Sequence, residues 1–172
     1  IIGHSMGGKA AMVLAIKNPD LIERLLIADI APVTYKHDQS KFIEAMQKID
    51  LSKVERRSDA IMALSNYVED KSLQNFFTQS LDLKTKTWKL NLDILSSEMH
   101  EILGFPKIDG KFSGHTLFFR GENSEYIRAE HREVINSLFK KARFATLKDA
   151  GHWLHAEKPR EFENAARFFF TE

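Results

Sequence analysis

A serine hydroxyl attacks only when a nearby base takes its proton, and the base needs a third group to orient it. One serine in the chain stands in a setting suited to that chemistry. Ser5 lies in Gly3-His4-Ser5-Met6-Gly7, a G-x-S-x-G pattern, with Gly8 directly after it. In this pattern a strand turns sharply into a helix, and the serine at the turn presents its hydroxyl above the sheet. Small flanking residues let strand and helix approach each other. The helix start also brings its positive end, and the Met6 backbone N–H, to the place where an oxyanion would form. The flanks agree with this expectation. Ile1-Ile2 reads as the end of a buried strand, and Ala11, Leu14 and Ala15 recur at helical spacing up to about Lys17. The glycine spacings of nucleotide-binding loops, G-x-x-x-x-G-K-[ST] and G-x-G-x-x-G, are not met here.

Seven histidines compete for the role of base. His4 lies inside the turn and is expected to point away from the reacting side. His37, His100, His115 and His131 fall in or beside helical or strand patterns, where surface or packing roles are the default. His152 differs. It follows a strand, in Lys148-Asp149-Ala150-Gly151-His152-Trp153, just before the last helix. Loops at the carboxyl ends of parallel strands carry the site in open α/β sheets. His155 suits a cap on the final helix better.

A carboxylate must then orient the base. Asp29 lies near the end of the apolar run Arg24 to Ile30, where a buried carboxylate needs a partner. The alternative is that Asp29 caps the turn at Pro32. Asp93, in Asn91-Leu92-Asp93, reads as a helix N-cap, and Glu125 is a longer candidate. Asp29 ranks first, with Asp93 and Glu125 behind it.

The elements that must hold these groups alternate strand and helix at both ends of the chain. Asn18-Pro19-Asp20 stops the first helix, and Arg24 to Ile30 looks like a strand buried on both faces. His115 to Arg120 and Ala142 to Leu147 read as further strands. A helix is marked between them by Ile127, His131, Val134, Ile135 and Leu138. The last helix runs from about Pro159, with Phe162, Ala165, Ala166 and Phe169 on one face. This order predicts an α/β fold with a parallel sheet.

Residues 33–112 differ. Amphipathic stripes appear at Phe42, Ala45, Met46 and Ile49; at Ile61, Leu64 and Val68; at Leu73, Phe76 and Phe77; and at Leu95, Met99, Ile102 and Leu103. Leu81 to Leu92 alternates as a small hairpin would. The expected organisation is core over 1–32, a helical cap or lid insertion over 33–112, and core again over 113–172. An ordinary helical part of the core is the plainer reading of the middle. Phe76, Phe77 and Trp153 are the apolar candidates for a substrate pocket.

The composition narrows the classes further. At 172 residues the chain suffices for one core, and 43% hydrophobic with 28% charged residues is ordinary for a globular protein. A net charge of +1 gives no sign of a nucleic-acid partner. No apolar run nears the roughly 18 residues of a membrane span. Cysteine is absent, which excludes disulfides and cysteine-ligated metals, and no metal site is expected.

Several motifs together carry a resemblance. Gly3-His4-Ser5-Met6-Gly7-Gly8-Lys9-Ala10, Asp29-Ile30-Ala31-Pro32-Val33, Gly121-Glu122-Asn123-Ser124-Glu125-Tyr126 and Gly151-His152-Trp153-Leu154-His155-Ala156-Glu157-Lys158-Pro159 resemble an esterase branch of the α/β-hydrolases with small bacterial acyl esterases and mitochondrial members. The resemblance implies cleavage of small carboxylic or acyl-chain esters through an acyl-enzyme, without a cofactor. It also implies an intracellular setting, cytoplasmic or mitochondrial. In this family the histidine comes last in the chain, as His152 does. Its acid commonly occupies a Gly-x-x-Asp loop, and here that position holds Ser124, which again favours Asp29. Thioester, lactone or carbon–carbon bond hydrolysis on the same scaffold, and non-catalytic binding of an unknown protein partner, are the other readings. The family pattern places further strands, and a His-Gly loop giving a second oxyanion donor, before Ile1. A chain without them is expected to expose an apolar strand edge and to hydrolyse little by itself.

Overall fold

The computed structural model describes residues 1–36 and 39–171, so His37 lies outside the described residues. The chain runs β1 (Ile2–His4), α1 (Met6–Lys17) and β2 (Arg24–Ala28). It continues through α2 (Ser40–Gln47), α3 (Arg57–Leu64), α4 (Lys71–Thr78), β3 (Leu81–Asp82), β4 (Thr87–Trp88), α5 (Leu92–Ser97) and α6 (Met99–Leu103). It closes with β5 (Phe112–Gly121), α7 (Arg132–Leu138), β6 (Phe139–Leu147), α8 (Leu154–Glu157) and α9 (Pro159–Thr171). Two compact units result: Ile1–Thr34 together with the chain from Gly104 onward, and Tyr35–Leu103. Residues 104–112, expected in the insertion, therefore group with the sheet. The buried Lys9 of α1 ties this returning segment down by donating to the Gly104 carbonyl at 2.6 Å. Burial pulls the Lys9 amine down from 10.5 to about 8.

The first unit is built on a parallel sheet in the order β1-β2-β5-β6. Leu25, Leu26, Ile27 and Ala28 of β2 are all fully buried, as a central parallel strand covered on both faces requires. Their side chains alternate. Ile27 faces Gly8 of α1, while Leu26 and Ala28 join Leu117, Phe119, Ala166 and Phe169 under α9. The apolar stripe of α9 thus packs where its spacing predicts, and Phe162 stacks on Phe119 at 5.6 Å. β1 is an edge strand, with Ile1 and Ile2 about half exposed.

β2 stops at Ala28 rather than Ile30 because Asp29 turns to φ 51°. β6 starts three residues earlier than the apolar pattern suggests. As an edge strand it carries the exposed Lys140 and Lys141, which keep another strand from pairing but erase the hydrophobic signal.

The second unit has its own core of Ile43, Met46, Ile49, Val54, Leu64, Val68, Leu81 and Leu92, with Phe42, Leu73 and Phe77 packed against it. β3 and β4 form the expected hairpin, pairing Leu81 with Trp88. Trp88 Nε1 donates to the Met46 carbonyl at 3.1 Å, which joins hairpin to helix. Asp70 caps α4, accepting from Ser72 N at 2.7 Å and Leu73 N at 3.3 Å. The fourth stripe divides into the two short helices α5 and α6 instead of forming one.

Candidate active site

Ser5 occupies the single residue between β1 and α1, at φ 53° and ψ −125°. This backbone conformation is costly for a residue with a side chain, by about 1–3 kcal/mol, and persists only where its surroundings enforce it. Here they do. The Ser5 N–H donates to Ala28 O at 3.2 Å, and its carbonyl accepts from Gly8 N at 2.8 Å and Lys9 N at 3.2 Å. Glycine matters at two of the three flanking positions. A Cβ on Gly3 would meet Gly7 O at 2.6 Å and Gly8 Cα at 2.7 Å; one on Gly8 would meet Ile30 Cγ2 at 2.5 Å. Gly7 has open space beside it, so close approach is not its reason. Met6 opens α1, and its backbone N–H is among the first-turn donors that a helix leaves without an intrahelical acceptor.

His152 Nε2 lies 3.1 Å from Ser5 Oγ, and His152 Nδ1 lies 2.8 Å from Asp29 Oδ2. Since the carboxylate oxygen only accepts, Nδ1 carries the proton and Nε2 is free to accept from the serine. Asp29 is fully buried directly after β2, with its N–H donating to Phe119 O at 2.9 Å. Its carboxylate is well supplied with donors. Oδ1 accepts from Gly121 N at 3.1 Å, and Oδ2 accepts from Ser124 Oγ as well as from His152. Burial of a carboxylate is tolerated on such terms. Asp29 thus turns inward to the histidine, and the alternative of a cap on the turn at Pro32 does not describe its carboxylate. The other two carboxylates are engaged elsewhere. Asp93 accepts from Gln47 Nε2 at 2.7 Å in the second unit, where Asn91, not Asp93, caps α5. Glu125 pairs with Arg128 at 2.5 Å on the surface.

The loop after β6 sets His152 in place. Glu157 of α8 accepts from Gly151 N at 2.7 Å and Trp153 N at 3.2 Å, so one carboxylate holds the backbone on both sides of the histidine. Asn123 N donates to Ala150 O at 2.9 Å and joins this loop to the one after β5. The Trp153 ring sits 5.8 Å from His152 and 5.4 Å from His4. Phe76 and Phe77 lie on α4 of the second unit, where Phe77 contributes to that unit's core and Phe76 is about half exposed.

His4 is not turned away as the sequence suggests. Its Nε2 donates to the His152 carbonyl at 2.8 Å, and its ring lies 4.7 Å from that of His152. His155 caps nothing; it sits within α8, with its ring 4.5 Å from His4 and 6.0 Å from Phe162. Neither residue could be assigned from sequence, because both roles depend on a contact 148 or 151 positions away along the chain. Ser124 escaped for the same reason, since its partner Asp29 is 95 positions away. His100 pairs with Glu101 at the surface, His115 is exposed on β5, and His131 Nδ1 accepts from Arg128 N.

Burial lowers the His4 pKa from 6.5 to about 4, with His152 and His155 adding to the effect against the bond to the His152 carbonyl. The His155 pKa is lowered too, chiefly by burial. A histidine that resists protonation when folded favours the unfolded chain below its unfolded pKa. The stability it contributes is complete above about 6.5 and is lost as the pH falls toward about 4. The melting temperature is therefore expected to drop across that window. His4→Gln, which keeps an amide donor but does not titrate, should make the drop shallower; an unchanged pH profile would count against this account.

Comparison with known proteins places the chain. Residues 1–165 match the model of the alpha/beta hydrolase family, and the chain belongs to that family. It is 38% identical to the sn-1-specific diacylglycerol lipase ABHD11 of Mus musculus, over 99% of this chain and 58% of that protein. It is 32% identical to the esterase YbfF of Escherichia coli strain K12, over 99% of this chain and 66% of that protein. Among solved structures, a marine microorganism esterase matches with a TM-score of 0.92 at 35% identity, covering 98% of this chain and 69% of that one. The chain thus spans a little over half the length of the mouse relative. Among the described residues no helix is long and apolar enough to cross a membrane.

Proposed function

We propose that the protein is a serine esterase that cleaves carboxylic esters through an acyl-enzyme, with Ser5 as nucleophile, His152 as general base and Asp29 as the orienting acid. The observation that carries this reading is the continuous hydrogen-bond chain from Ser5 Oγ through both nitrogens of His152 to Asp29. His152 Nε2 accepts the serine proton as Ser5 Oγ attacks the ester carbonyl. The Met6 N–H stabilises the oxyanion, with a second donor expected from the His-Gly loop of the family pattern. The carbonyl–oxygen bond breaks and the alcohol leaves with the proton from His152. Water, deprotonated by His152, then adds to the acyl-enzyme and releases the acid. Throughout, Asp29 keeps the imidazole in one tautomer and faces the positive charge that forms on it.

The names of the relatives, a diacylglycerol lipase and esterases, favour an acyl-chain ester as substrate. Trp153, whose ring lies 5.8 Å from that of His152, is proposed to help bind the acyl chain, whereas Phe77 serves chiefly to pack the second unit. A fluorophosphonate probe followed by peptide mapping is expected to label Ser5 and no other serine. Acyl esters of increasing length, offered beside matching thioesters, should be consumed preferentially. Labelling at another serine, or preference for the thioesters, would overturn this reading.

A further inference from the structure

We infer that His4 is a positioning residue that sets the distance between base and nucleophile, an inference that rests on Ser5, His152 and Asp29 being the reacting set. Three observations meet here. First, His4 Nε2 lies 2.8 Å from the His152 carbonyl oxygen, and since a carbonyl only accepts, Nε2 carries the proton. Second, His4 directly precedes Ser5 and ends β1, where it pairs with Ala28 of β2. Its side chain therefore hangs from the same fixed backbone as the nucleophile. Third, rings of the base loop and of α8 close around it: His152 at 4.7 Å, Trp153 at 5.4 Å and His155, edge-on, at 4.5 Å.

The neighbouring ties on the base loop do not refer to Ser5. Asp149 N donates to Glu122 Oε2 at 3.0 Å, and Ala150 O accepts from Asn123 N at 2.9 Å, both partners lying in the turn after β5. Gly151 N and Trp153 N donate to Glu157 of α8. These bonds shape the loop, which Asp149 enters at a left-handed φ of 53°. Among these backbone ties, the one to the His152 carbonyl comes from the nucleophile turn. It acts in parallel with the 3.1 Å contact between His152 Nε2 and Ser5 Oγ, and so holds the base's backbone at a set distance from the nucleophile's. Proton transfer needs those two side-chain atoms within hydrogen-bond reach, and a small misplacement of the base slows it steeply. Burial holds the His4 pKa at about 4, so the tie places no cation beside the imidazolium that forms on His152. A bond to the loop backbone adds nothing to substrate binding, so its loss should appear in turnover and not in KM.

The test separates the donor from the ring. His4→Gln keeps an N–H of similar reach without the ring, and His4→Phe keeps a ring without the N–H. His4→Leu has neither and is too small to push the loop away. The full chain of each is compared with the parent by kcat and KM on one acyl ester, by the rate at which a fluorophosphonate labels Ser5, and by melting temperature. His4→Gln should stay within about threefold of the parent kcat, because the bond to the carbonyl remains. His4→Phe and His4→Leu should each lose roughly tenfold in kcat with KM unchanged. Ser5 should also be labelled more slowly in both by a similar factor, since labelling needs the base but not the acyl pocket. If His4→Phe fails to fold, His4→Leu carries the same expectation. Equal kcat in the Gln and Leu variants, a parent-like Phe variant, or losses confined to KM or to the melting temperature overturn the inference. If Ser5 is labelled in the parent and the Phe and Leu variants are labelled at the parent rate, this inference alone falls; if Ser5 is not labelled in the parent, the reading beneath it falls as well.

Discussion

Asp29→Asn is expected to lower kcat by about three to four orders of magnitude while the fold and the Ser5–His152 spacing persist. The reason lies in the three donors that converge on this carboxylate. An amide offers one oxygen and one NH2 in place of two oxygens. If the NH2 took the Oδ1 position it would face the Gly121 N–H, a backbone donor that cannot change its role. That orientation leaves two buried donors opposed. The amide therefore settles with its oxygen toward Gly121 and its NH2 toward His152 and Ser124. The Ser124 hydroxyl can rotate to accept. His152 can also comply, but only by moving its proton from Nδ1 to Nε2. The nitrogen 3.1 Å from Ser5 Oγ then donates instead of accepting, and the serine has no base. The charge that would face the imidazolium is lost in the same step. Ester turnover by the variant, with a melt to confirm folding, checks this. A kcat within tenfold of the parent would remove Asp29 from the proposed set.

Gly121→Ala should be the more damaging change to the fold itself. A Cβ at this position would collide with Gly151 O and stand only 2.6 Å from Ala150 O. Both are backbone atoms of the loop that carries His152, and backbone cannot swing aside as a flexible side chain can. That loop is also fixed by Glu157 and by the bond from Asn123 to Ala150 O. Moving β5 away instead would break its pairing with β6 and withdraw the Gly121 N–H from Asp29. Overpacking of this kind costs about 3 kcal/mol or more, a large share of the roughly 5–15 kcal/mol by which a domain is stable. The variant is expected to melt far below the parent, and any folded fraction should turn over poorly because His152 is displaced. Denaturant unfolding and turnover together decide it; a parent-like melt with parent-like activity would show that the two loops can separate freely.

Much of the first unit was legible because its signals are local. The glycines around Ser5, the helical spacing after it and the unbroken apolar run of β2 each act within a few residues. The stripes of the second unit were legible for the same reason, and its core collects most of the residues they mark, with Ile61, Phe76, Ile102 and Leu103 outside it. Boundaries shifted where a local signal was missing. β6 begins among lysines, and Asp29 ends β2 by a left-handed turn that no apolar pattern announces.

By itself, the sequence determined the α/β class, the strand-to-helix turn at Ser5 and the loop position of His152. Glycine tolerance, side-chain periodicity and strand–helix order are properties of neighbouring residues, so neighbours suffice to read them. Only the tertiary structure decided which carboxylate meets His152, because Asp29, Asp93 and Glu125 differ in what the folded chain brings to them. It brings Gly121, Ser124 and His152 to Asp29, across 92 to 123 positions of sequence. The place of His4 beside His152 was settled in the same way. Hydrogen bonds and ring contacts act over a few ångströms of space, and proximity between distant segments exists only once the sheet and its loops have formed.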